Sequence, residues 1–89
     1  MKTSDTGPFP KRMKYARTQS GLSQKELGIL IGLDRFVAST RMNRYEKGIH
    51  SPDYGTARAI AAALNIPTAY LFCEEDELAE QILEWGRKR

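Results

Sequence analysis

Thr40, Arg41, Asn43 and Arg44 lie within a span of five residues, with Ser39 just before them and Lys47 just after. Each of these side chains can donate a hydrogen bond, and together they match what reading the major groove of a duplex requires. Arg bonds both acceptors of guanine, Asn does the same with adenine, and Thr meets either a polar edge or the thymine methyl. Upstream, Ser23-Gln24-Lys25 opens a segment whose first backbone amides have no helical partner and suit an anion. Little in the chain points to catalysis. One histidine (His50), one cysteine (Cys73) and carboxylates at helix ends form no clustered acid, base or nucleophile. We expect no enzyme, no metal site and no cofactor.

These side chains need a frame, and the helix signals that supply it recur along the chain. No stretch alternates apolar and polar residues over a strand's length. The first helix is predicted from Pro10 to Gln19, with Phe9, Met13 and Ala16 on one face and Gly21 after it. Ser23-Gln24-Lys25-Glu26 is a capping box and starts the second helix. Leu27, Leu30 and Ile31 form the expected buried face of that helix, and Gly32 stops it. A turn over Leu33 to Val37 leads to a third helix from about Ala38 to Lys47. Its apolar side is Ala38, Met42 and Tyr45, which turns Thr40, Arg44 and Lys47 outward, with Arg41 and Asn43 on the flanks. A fourth helix from Asp53 to Leu64 buries Tyr54, Ala57, Ile60, Ala61 and Leu64. A short fifth helix, Thr68 to Phe72, offers Leu71 and Phe72 to the core. The last, Glu74 to Arg89, is acidic at its start and basic at its end, as the helix dipole favours. Its stripe of Leu78, Ile82 and Trp85 suits either docking on the domain or a contact with a second subunit or another protein.

The fold class expected is all-α, a bundle of five to six helices. Residues 1 to 8 read as a flexible tail, 9 to 73 as the domain and 74 to 89 as a terminal helix for docking or dimerisation. Composition agrees with one small globular unit: 89 residues, 40% hydrophobic and 28% charged. The start, MKTSDTGPFPKR, has no apolar run of a secretory signal, and no segment is long and apolar enough for a bilayer. A cytoplasmic location, associated with the nucleoid, is expected, with no membrane partner. Charge is uneven. Residues 1 to 50 carry ten basic and four acidic side chains, whereas residues 51 to 89 carry four basic and seven acidic. A basic half next to an acidic half suggests a polyanion on one side and a different partner on the other. Lys11, Arg12 and Lys14 read as general solubility and weak phosphate attraction.

The pieces Gly-Leu-Ser-Gln-Lys-Glu-Leu (21 to 27), Arg-Tyr-Glu-Lys-Gly (44 to 48), Pro52-Asp53 and Ala-Ala-Ala-Leu-Asn-Ile-Pro (61 to 67) carry a resemblance. In this order they resemble the phage-repressor helix-turn-helix family of the Cro and lambda-repressor (XRE) type, from about Pro10 to Phe72. The resemblance implies a lambda-repressor-like fold and a regulator, in the first place a repressor, that reads a double-stranded DNA operator as a homodimer. It implies base contacts from Ser39, Thr40 and Arg44, to which the outward face adds Arg41 and Asn43. It implies a phosphate contact from Gln24, beside which Ser23, Lys25, Arg35 and Lys47 are placed near the backbone. It also implies a partly buried ion pair between Arg17 and Glu46. The alternative is an antitoxin-like or adaptor module that binds a protein partner through its C-terminal half. The chain departs from the family in one place. Gly32 and Gly48 stand sixteen residues apart, four more than is usual in these repressors. The extra residues either lengthen the turn within Asp34 to Val37 or add a turn to the start of the third helix. We place them in the turn.

Overall fold

The computed structural model describes residues 7–89, in which six helices follow one another: α1 (Phe9–Gln19), α2 (Gln24–Leu30), α3 (Arg35–Glu46), α4 (Tyr54–Leu64), α5 (Thr68–Leu71) and α6 (Asp76–Arg87). No strand occurs among the described residues. The expected tail lies outside the described residues as far as residue 6, while Pro8 is buried and immediately precedes α1.

Local rules account for most of the helix boundaries. The capping box forms in full at α2: the Ser23 hydroxyl accepts from the Glu26 amide at 3.0 Å, and the Glu26 carboxylate accepts from the Ser23 amide at 2.8 Å. Asp53 caps α4 by accepting from the Thr56 amide at 2.8 Å, and this bond holds its carboxyl below the ordinary value. Asn65 ends α4 in the left-handed conformation at φ 59°.

The core gathers Phe9, Met13 and Ala16 from α1, Leu27 from α2, Met42 and Tyr45 from α3, and Ala57, Ile60, Ala61 and Leu64 from α4. Four expectations are corrected here. Leu30 is 60% exposed, because α2 stops there and only its Leu27 side meets the bundle. Tyr54, at the first position of α4, is 66% exposed and stands under the Arg58 guanidinium rather than in the core. In α5 the buried aromatic is Tyr70, whereas Phe72 is half exposed beside the Phe9 ring. The fourth concerns Arg12, which is not a solubility residue. It is buried, its Nε donates to the Cys73 carbonyl at 3.0 Å, and its guanidinium meets Asp76 at 2.9 Å and lies over the Tyr70 ring. With Lys11, it keeps the Asp76 carboxyl below its usual range and ties the start of α6 to α1.

The four extra residues are placed differently from the expectation. They form no long turn. α3 begins at Arg35, and the Asp34 carbonyl accepts from both the Val37 and Ala38 amides at 2.9 Å. Nothing in Arg35-Phe36-Val37 breaks a helix, and Asp34 in extended conformation supplies its start. Just after this first helical turn, Ala38 is fully buried against Gly28, where a Cβ would come within 2.6 Å of the Ala38 Cβ. The glycine thus allows α2 and α3 to approach closely at Ala38.

Candidate nucleic-acid interface

The inner side of α3 is Ala38, Met42 and Tyr45, all buried, as the periodicity required. Thr40, Arg41, Arg44 and Lys47 are therefore exposed on the outside and flanks. Ser39 is exposed on the flank nearer Glu46. Arg35 occupies the first turn, exposed, with its guanidinium 5.2 Å from the centre of the Phe36 ring. Phe36 itself is 81% exposed. Asn43 differs from its neighbours: it is half-buried, and its carbonyl accepts from the Gln24 amide at 3.2 Å.

A polar network at the base of α3 fixes its orientation. Arg17 of α1 grips the Glu46 carboxylate with Nε and a terminal nitrogen, the latter at 3.1 Å, and donates to the Leu22 carbonyl at 2.8 Å. Gln24 donates to Glu46 at 3.0 Å as well as to Asn43. The pair is largely shielded from water, with side-chain exposures of 12% for Arg17 and 3% for Glu46. One carboxylate thus joins α1, the start of α2 and the end of α3, and every strong donor aimed at it is matched. In consequence both hydrogens of the Gln24 side-chain amide point inward. What α2 presents outward at its start is the backbone amides of Gln24 and Lys25, with the exposed Ser23 and Lys25 side chains beside them.

Two features of this region lie outside what the sequence reading singled out. The Asn43–Gln24 bond joins residues nineteen apart in sequence, and no periodicity reports it. The Gly28–Ala38 approach had a signal, an isolated glycine inside a helical pattern, which often marks close backbone packing. At the far end of the molecule, α6 docks through buried Ala79 and half-buried Ile82 and Leu83, and a Cβ on Gly86 would reach 2.9 Å from Pro67. Leu78 and Trp85 remain 51% and 55% exposed and border a shallow apolar groove with Pro67, Ala69 and Ile82.

A short capped helix crossing a longer one, whose outward side is basic and polar while its inward side is locked to the bundle, defines a helix-turn-helix DNA-binding domain. The sequence model of the helix-turn-helix family matches residues 13–71, and the chain belongs to that family, in its XRE branch. A crystal structure described as that of the transcriptional regulator BswR superposes with a TM-score of 0.85 at 51% identity, covering 88% of this chain and 77% of that one. No curated protein matches the chain in sequence.

Proposed function

We propose that this protein is a sequence-specific, double-stranded DNA-binding transcriptional regulator, and a repressor, rather than an enzyme. The observation that carries the reading is the orientation of α3: three buried side chains and the Arg17–Glu46–Gln24 network hold one face inward, so a row of free donors faces out. In this reading Arg44, Arg41 and Thr40 meet base edges, with Ser39 and Asn43 at the margins. Asn43 gives its carbonyl to Gln24 and keeps its amide hydrogens for a base. The Gln24 and Lys25 amides, with Ser23, Lys25, Arg35 and Lys47, hold the phosphates on either side. Membership of the family and likeness to a transcriptional regulator support this assignment. Among the described residues, no helix is long and apolar enough to cross a membrane, which suits work on DNA in the cytoplasm at the nucleoid.

Repression at a two-fold operator needs two copies, with recognition helices entering successive major grooves about 34 Å apart. Residues 74–89 are the proposed source of the contact. Leu78 and Trp85 are exposed beside Ile82, and α6 is acidic at Asp76, Glu77 and Glu80 and ends at the basic Arg87, followed by Lys88 and Arg89. Two such helices laid antiparallel would bury the stripe and place opposite charges side by side. The second reading, an antitoxin-like or adaptor role, draws on the same stripe: Glu77, Glu80 and Glu84 beside it suit a basic protein partner. Copurification of a stoichiometric basic protein would favour that role.

The test is selection of bound duplexes from a random library, followed by titration in salt. Binding should weaken along a log–log slope near −0.9 per phosphate neutralised. Arg44→Ala should cost about 1–3 kcal/mol and relax preference at one base position, whereas Lys25→Ala, at a phosphate contact, should weaken all sequences alike. Unchanged operator preference in Arg44→Ala would overturn the assignment of α3.

A further inference from the structure

The most exposed large apolar side chain in the described structure is Phe36, at 81%. It lies in the added first turn of α3, four residues before Thr40 and eight before Arg44, and so shares their outward side. It contributes nothing to the core, and its recorded partner is the neighbouring Arg35, whose guanidinium lies over one ring face at 5.2 Å. That cation restricts the ring and leaves its edge and other face to solvent. The helix that carries it is net basic: Arg35, Arg41, Arg44 and the cap residue Lys47 stand against two acids, Glu46, which is paired with Arg17, and Asp34 at the start of the helix.

On the reading of α3 given above, which this inference rests on, we infer that Phe36 is a specificity-determining residue that reads the 5-methyl group of a thymine in the major groove. A phenyl ring offers no hydrogen bond to a base edge. The apolar feature that the major groove presents is that methyl, and cytosine carries only a hydrogen at the same ring carbon. Recognition helices reach base edges with their N-terminal residues, and one further turn carries the reading face about 6 Å further along the groove. The basic surroundings favour a duplex over an apolar protein patch, because four cations would be desolvated against a protein and are matched by phosphates in a groove.

The experiment starts with the duplex selected by the unaltered protein, in which each thymine of the site is replaced singly by deoxyuridine, removing the methyl alone. At one position this substitution should weaken the unaltered protein about four-fold, the effect expected for one buried methyl group. Phe36→Ala should bind thymine and uracil there equally, while melting at the same temperature, since the ring is exposed. Full binding of every uracil duplex by the unaltered protein would overturn the proposal, as would a thymine preference that survives in Phe36→Ala. A change of solution mass in Phe36→Ala would assign the ring to a subunit contact and overturn it too. If the unaltered protein selects no duplex at all, the DNA-reading role itself fails, a result distinct from the others.

Discussion

Glu46 is nearly inaccessible to water, yet it carries a charge at the end of a helix that must face outward elsewhere. The arrangement is stable because Arg17 contributes two donors and Gln24 a third, so no buried charge is left unpaired. Removing the acid would strand a largely shielded guanidinium. Glu46→Ala is therefore expected to lower stability by about 3 kcal/mol, seen as a lower denaturation midpoint at unchanged slope. Glu46→Gln keeps an acceptor for Gln24 and should lose less. Arg12 shows the same principle in a different place. Its guanidinium is buried because two backbone carbonyls, Asp76 and the Tyr70 ring surround it, and none of those partners is near it in sequence. A reading of residues one by one has no means of distinguishing Arg12 from Lys14, which is exposed two positions further on.

At the scale of elements, the crossing of α2 and α3 depends on one close approach. Gly28 and Ala38 touch because neither carries a side chain larger than a methyl. In an ordinary helix Gly→Ala gains about 1 kcal/mol from propensity. Here the added methyl would sit 2.6 Å from the Ala38 Cβ and 3.0 Å from its backbone, so the two helices must separate. Gly28→Ala is accordingly expected to destabilise, by about 1–3 kcal/mol, a reversal of sign that a urea titration would register. The boundaries at Ser23, Asp53 and Asn65 follow from local chemistry, and the sequence contained them in legible form. The start of α3 did not follow that way. The Asp34 side chain makes no capping bond, and a turn and a helix over Arg35 to Val37 have similar local preferences, so local spacing did not choose between them.

Across the whole molecule, the two ends divide the labour. The α2–α3 face carries the donors and the cations, while α6 leaves Leu78 and Trp85 uncovered after docking through Ala79, Ile82 and Leu83. If that strip joins two copies, Trp85→Glu should convert a dimer to a monomer in sedimentation or light scattering. Affinity for a two-fold duplex should then fall far more than affinity for a half-site, because the second binding event loses its tether. A variant that stays dimeric would move the subunit contact elsewhere.

Helix count, helix order, capping and the inward side of α3 could all be read from the chain, because each depends on neighbours three or four positions apart. The face that offers Thr40, Arg41 and Arg44 to a duplex follows from that same spacing. Burial of Arg12, the inward turn of Gln24 and Asn43, and the outward placing of Leu30, Tyr54 and Phe72 required the assembled bundle. Each depends on which distant surface reaches the side chain first, and that is settled when the helices pack.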